Sequence, residues 1–525
     1  MTDEQPLSRR AARAGSQPAA RPVRPPRQKR QKAQTDPASP VLVDEFGKPI
    51  APKGGILAAI RKHPTAWLIS AASVAFFLLG TGAVFAGVAY ASSPQAAPSP
   101  EATQLPPRPQ PTGVPTSVAL RTCSVQKFAD DPRLKDLAGA VVLADTGEAL
   151  YMLHGTSAKR TGSVLKVFTA SAAIKQLGSA FQITTTVTTG TQAGTIVLVG
   201  RGDATLSAMP PGTESVYTGA PKLSSLAAAT IASYSSTYPG QSIESLILDA
   251  SYWNSTDKWD STWKRSEQTI GYHSEVTALQ VDGDRADPTQ QTSPRSTNPI
   301  GRAGAAFLQA LRDADTGGIV AANVTVTTGT AVAGTKLASV KSQPLRVLIK
   351  QMMLNSDNTL AEMLARITSK ESALDGSAAS LQQAYASALF PDDPDTASHI
   401  RIRDGSGLSD KNRVPAIVMA QFMRRVEAGE DNLDIVRDAL PVAGKSGTLA
   451  SRFVGANAIA RGHITAKTGW IDTAYTLAGF MDARDGTKLT FAFYAIRDGI
   501  KPDAKEALDT LATAVYKCGD NLANF

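Results

Sequence analysis

The apolar run PTAWLISAASVAFFLLGTGAVFAGVAYASS, residues 64–93, constrains this chain more than any other stretch. No charged residue occurs between His63 and Glu101. The run exceeds the roughly 20 residues a helix needs to cross a bilayer, so one transmembrane helix is expected over residues 64–92. Arg61 and Lys62 precede it and put that side in the cytoplasm. Ala89-Tyr90-Ala91 is the competing signal, a leader-type cleavage site. The long basic tail ahead of the run argues for an uncleaved anchor.

The charge is unevenly placed. Residues 1–63 hold 13 Lys and Arg against 5 Asp and Glu, which accounts for the net +8, and the remainder balances at 41 of each sign. The high pI therefore belongs to the tail, and the body offers no electrostatic case for nucleic acid. That tail is Pro-rich and poor in apolar groups, the composition of a disordered cytoplasmic segment. Residues 93–118 form a Pro-rich linker. The body beyond it is expected outside the membrane, as part of a single-pass cell-membrane protein. Its two cysteines, Cys123 and Cys518, stand near its ends. In an exported domain they invite a disulfide, with two free thiols as the alternative.

The texture of the body predicts an α+β fold, helices packed on a mostly antiparallel sheet. Residues 139–155 read as a hairpin turning at Asp145-Thr146-Gly147. A helical run follows, and from about Phe181 the sequence becomes β-branched and Gly-punctuated. Helical texture returns over 344–368. AYTLAGF and KLTFAFYAI read as strands, and a closing amphipathic helix ends the chain. The division expected is one domain over 119–178 and 337–525, with a β-rich domain of residues 179–336 inserted.

Three short motifs carry chemistry. In GSVLKVFTA (162–170), Ser163 and Lys166 are spaced to share one face of a helix inside an apolar run. S-x-x-K also occurs at Ser124/Lys127, Ser255/Lys258 and Ser261/Lys264, in polar or Trp-rich surroundings. Downstream, Ser356 and Asn358 lie in NSDN at a break in helical sequence, and Lys467-Thr468-Gly469 precede strand sequence. The ordered trio S-x-x-K, S-D-N and K-T-G is that of serine β-lactamases and penicillin-binding proteins. Serine needs a neighbouring base to act as a nucleophile. Lys166 serves if burial and a second cation, Lys467, depress its pKa. Ser356 then relays a proton to the leaving amine, and Asn358 bonds a substrate amide. Lys467 and Thr468 suit a terminal carboxylate. The N–H groups of Ser163 and Trp470 form an oxyanion hole. Lys445-Ser446-Gly447 also fits the third motif but is not followed by strand sequence.

With these motifs the chain resembles the class C low-molecular-mass penicillin-binding proteins, the D-alanyl-D-alanine carboxypeptidase/endopeptidase family S13, over roughly residues 135–515. GRGDATLS, VDGDRADP, RDGSGLS, LPVAGKSGTL and AKTGWIDTAYTLAGF add to the likeness. It implies a penicillin-binding-protein/serine β-lactamase-like transpeptidase domain, no cofactor, peptidoglycan stem peptides as substrate, and β-lactams as covalent inhibitors of Ser163. Within it, Thr468, Gly469 and Trp470 are substrate-binding. Trp470 stands where the family often has a small polar residue, and the insertion is shorter than in its fullest members.

Other classes fare worse. The five histidines are scattered without metal-ligand spacing, so no metal is expected. Arg201-Gly202-Asp203 as an adhesion tripeptide, and Asp404 or Ser406 as another nucleophile, lack supporting context. A non-catalytic peptidoglycan-binding module and a β-lactamase-type hydrolase stay open as alternatives.

Overall fold

The computed structural model describes residues 120–524 except 333. The tail, the expected membrane helix over 64–92 and the linker lie outside the described residues. Among the described residues no helix is long and apolar enough to cross a membrane.

A five-stranded antiparallel sheet forms the frame, from β1 (Asp136–Leu143), β2 (Ala149–Leu153), β8 (Ile464–Ile471), β9 (Ala474–Asp482) and β10 (Lys488–Ile496). Its order is β8-β9-β10-β1-β2, so the first and last parts of the body pair at the β1–β10 seam. These strands are apolar without alternation because both faces are covered. Val141, Phe491 and Phe493 enter one core with the closing helix α8 (Ala504–Cys518). Ala140, Val142, Ala492 and Tyr494 enter the other, with α1 (Lys166–Leu177) and α7 (Ala416–Ala428). A disulfide joins Cys123 to Cys518, tying the start of the body to the end of α8 across 395 residues.

The second sheet, within residues 184–341, departs from the expected β-rich texture. It holds β3 (Thr184–Thr189), β4 (Thr195–Val199), β5 (Ile243–Asp249), β6 (Val320–Thr328) and β7 (Lys336–Lys341), in the order β6-β5-β4-β3-β7. The pairs β4/β5 and β5/β6 are parallel. Parallel neighbours need crossovers, and α2 (Leu223–Thr237) and α3 (Pro299–Ala314) supply them. The segment is therefore α/β. The Ala- and Ser-rich sequence of α2 hid its helix. Leu226, Tyr234, Phe307 and Leu311 pack these helices onto Ile196, Leu198 and Leu246.

Between the two sheets in sequence order come α4 (Leu345–Asn355), α5 (Asn358–Glu371) and α6 (Leu381–Leu389), all contributing to the core that holds α1.

Candidate active site

Ser163 lies on a single 3-10 turn, Gly162–Leu165, that runs into α1 at Lys166. The turn is fastened to the sheet, since Thr476 Oγ1 on β9 donates to Thr161 O at 2.6 Å. Strand β8 passes against it closely. A Cβ on Gly469 would come within 2.1 Å of Thr476 Oγ1 and 2.9 Å of the Ser163 nitrogen, so only glycine fits. The backbones of 469–470 and 162–163 consequently face each other at contact distance.

Lys166 is fully buried. Its Nζ lies 2.8 Å from Ser163 Oγ, 2.7 Å from Asn358 Oδ1 and 2.7 Å from Ser406 O. Two of these partners, a side-chain and a backbone carbonyl, only accept. A neutral amine has two N–H groups and one lone pair. With both N–H groups committed to Asn358 and Ser406, the lone pair is left for the Ser163 hydroxyl. Burial lowers Lys166 to about 8, against the upward pull of Asp404, Glu362 and Asp357.

Lys467 is also fully buried. Its Nζ donates to Ser356 Oγ and to Thr468 O, each at 2.8 Å. Burial, then the charge of Lys166, hold it well below the usual lysine range. This reverses one sequence expectation. Burial is what depresses Lys166; it is Lys467 that yields to the neighbouring cation, because three carboxylates support Lys166.

Ser356 stands at the break between α4 and α5 with φ +56. Its neighbour Asp357 caps α5, accepting from the Leu360 N–H at 2.9 Å. Asp357 Oδ2 accepts from Arg285 Nη2 at 2.7 Å and from the Tyr217 hydroxyl at 2.9 Å. Burial alone raises this carboxyl, but Arg285 and Arg295 hold it well below the usual carboxylate range. Two residues from the 184–341 part of the chain thus fix the residue between Ser356 and Asn358.

The cleft has a volume of about 680 Å³; Ser163, Ser356, Asn358, Thr468 and Trp470 line it, with Thr448. The two lysines lie behind this lining. Trp470 is 43 % exposed, its ring centroid 6.3 Å from that of Tyr272. Lys264 and Asp472 are paired at the same mouth.

The three predicted motifs are therefore assembled in one place. Lys445 is not with them; it packs against Gly462. Thr448 of that stretch does belong, sharing a 2.8 Å hydrogen bond with Thr468 Oγ1. Gly202 and Asp203 are buried, which removes the adhesion reading, and Asp404 and Ser406 are buried under Lys166. Sequence reasoning set Ser406 aside as a nucleophile and missed its part in the site, which is a main-chain carbonyl. It also missed Glu362, a charged residue on an apolar helix face. Among the described residues no cluster fit to hold a metal ion occurs.

Comparison with known proteins gives the family and the fold. The family model described as D-Ala-D-Ala carboxypeptidase 3 (S13) matches residues 122–294 and 284–515. The carboxypeptidase DacB of Mycolicibacterium smegmatis is 33 % identical over 410 residues, covering 77 % of this chain and 85 % of its own. A carboxypeptidase of Mycobacterium tuberculosis is 34 % identical over 414 residues, 78 % of this chain and 86 % of its own. The fold matches penicillin-binding protein 4 of Haemophilus influenzae with a TM-score of 0.61 at 21 % identity, over 76 % of this chain and 99 % of that one.

Proposed function

This chain belongs to the D-Ala-D-Ala carboxypeptidase 3 (S13) family, and from that premise we propose how its residues remove the terminal D-alanine of peptidoglycan stem peptides. It is a serine-type D-Ala-D-Ala carboxypeptidase. The observation that carries the mechanism is the set of three contacts around Lys166 Nζ.

The neutral amine of Lys166 takes the proton of Ser163 Oγ as that oxygen attacks the carbonyl carbon of the penultimate D-alanine. The oxyanion forms against the N–H groups of Ser163 and Trp470, each such donor being worth about 10²–10³ in rate. The C–N bond breaks, and the proton held by Lys166 is relayed through the Ser356 hydroxyl to the departing D-alanine amine, which leaves Lys166 neutral again. Water then attacks the acyl-Ser163 ester, Lys166 accepts its proton, and that proton returns to Ser163 Oγ as the ester C–O bond breaks. Thr468 and Thr448 present hydroxyls to the substrate's terminal carboxylate, with Lys467 acting from behind them. Asn358 has its oxygen committed to Lys166, so its NH₂ faces a substrate carbonyl.

A β-lactam acylates the same Ser163 and stalls there. Labelled penicillin should remain on the denatured wild type and be absent from Ser163→Ala. Label surviving that substitution overturns the nucleophile. Digestion of monomeric and cross-linked muropeptides then separates carboxypeptidase from endopeptidase action. Anchoring to the cell membrane through residues 64–92, N-terminus cytoplasmic, is part of this reading. It is supported by the uncharged run and by a disulfide suited to an exported domain. Protease added to intact cells should cleave the body and spare the tail; the reverse pattern rejects the topology.

A further inference from the structure

We propose that Glu362, which touches neither substrate nor Ser163, is a positioning residue that holds the loop bearing the Ser406 carbonyl and sets the charge of Lys166. The proposal rests on Lys166 as the base for Ser163, and the test keeps the two apart.

Glu362 follows Asn358 by four residues on α5, so the two side chains lie one above the other on one helix face. It is fully buried. Its Oε1 accepts two backbone N–H groups of one loop, Gly405 at 3.0 Å and Ser406 at 2.7 Å. The carbonyl of that same Ser406 takes one N–H of Lys166. A carboxyl on α5 is thus linked to the amine on α1 through a single peptide segment.

The loop has no freedom to find this position by itself. A Cβ on Gly407 would fall 1.9 Å from Gly162 O, and one on Gly405 2.4 Å from Ala365 Cβ. It is wedged between the Ser163 turn and α5. Asp404 completes it, accepting from the Gly407 N–H at 2.8 Å and from Trp263 Nε1 at 2.8 Å.

The second half of the inference is electrostatic. The charged and titratable groups facing Glu362 are Asp404 from the loop, Arg366 from its own helix, Lys166 from α1 and Tyr385 from α6. Burial, then the charge of Asp404, push Glu362 up to about 7, against Ser406, Arg366 and Gly405. Ionised, it favours the ammonium form of Lys166; protonated, it releases the amine as base. Its Oε2 has no hydrogen-bond partner, so a proton there displaces no donor. Two interacting groups titrate as a pair. As pH rises, ionisation of Glu362 therefore opposes deprotonation of Lys166.

The test is the acylation rate by a fluorescent penicillin against pH, on the full-length protein. The wild-type acidic limb should climb with a slope below one across about pH 6–8, by the pairwise titration above. Glu362→Gln keeps an oxygen for the two N–H groups and removes the charge. Its limb should move to lower pH and steepen to unit slope. A merely structural residue lowers the rate and leaves the limb in place. An unmoved limb in a folded Glu362→Gln protein overturns the proposal. If that variant fails to fold, a unit-slope limb in the wild type overturns it, and a shallow one supports it. Ser163→Ala decides the underlying reading separately, by loss of label.

Discussion

Asn358 Oδ1 sits 2.7 Å from Lys166 Nζ, a contact between residues 192 positions apart that fixes which way the amine's lone pair points. The acceptor is neutral, and that matters as much as its position. A carboxylate there would hold the ammonium form.

Asn358→Asp should therefore slow acylation and move its acidic limb to higher pH. A negative charge beside Lys166 raises the pH needed to free the amine, and each unit costs about tenfold at pH 7. The pH profile of penicillin acylation reads this directly. A shift to lower pH contradicts the assigned role of the contact.

Gly469→Ala should separate β8 from the Ser163 turn. The added methyl meets Thr476 Oγ1 at 2.1 Å and the Ser163 nitrogen at 2.9 Å. Overpacking of this kind costs about 1–3 kcal/mol, and a displaced oxyanion donor costs about 10²–10³ in rate. Denaturant unfolding and acylation kinetics measure the two effects. Unchanged acylation removes the 469–470 backbone from the oxyanion site.

Lys467 is held well below the usual lysine range by burial and by Lys166. A bound carboxylate favours its charged form, so binding should take up a proton. Affinity of a D-Ala-terminated ligand for Ser163→Ala should then fall as pH rises. Calorimetry in two buffers of different ionisation enthalpy gives the proton count, and a count of zero separates Lys467 from the carboxylate.

Arg285→Met should destabilise the fold by about 3–5 kcal/mol, because it leaves the buried Asp357 carboxylate without its guanidinium. Adding Asp357→Asn should recover part of that loss. The folded-state pKa of Asp357 is depressed. Its contribution to stability is thus present above the unfolded value, about 3.9, and fades as pH falls below it. Urea unfolding at pH 7 and pH 3 tests both statements, and additive single losses contradict the pairing.

Reduction of Cys123–Cys518 should lower stability by about 2–4 kcal/mol without moving the site, since the bridge mainly constrains the unfolded chain. Unfolding with and without reductant, at matched acylation rate, checks this. Loss of acylation in folded, reduced protein contradicts it.

Much of this was legible beforehand. The hairpin at β1 and β2, the pair β9 and β10 and the closing helix follow from apolar runs flanking turn residues and from the amphipathic pattern of the last segment. The crossovers α2 and α3 were missed because their Ala-rich helices lie between strands of strong β character, and strand pairing is a non-local choice. Thr448 was hidden in a stretch set aside as a competing motif. Ser406 was illegible in principle, because a carbonyl contributes to the site regardless of its side chain.

The order and identity of Ser163, Lys166, Ser356, Asn358 and Lys467 were fixed by the linear chain, since their chemistry resides in side-chain type and short spacing. Which lysine has carboxylates opposing its depression was not. That depends on Asp404, Glu362 and Asp357 lying near one amine rather than the other. Charge interactions act through space and grow as water is excluded, so only the folded arrangement sets them.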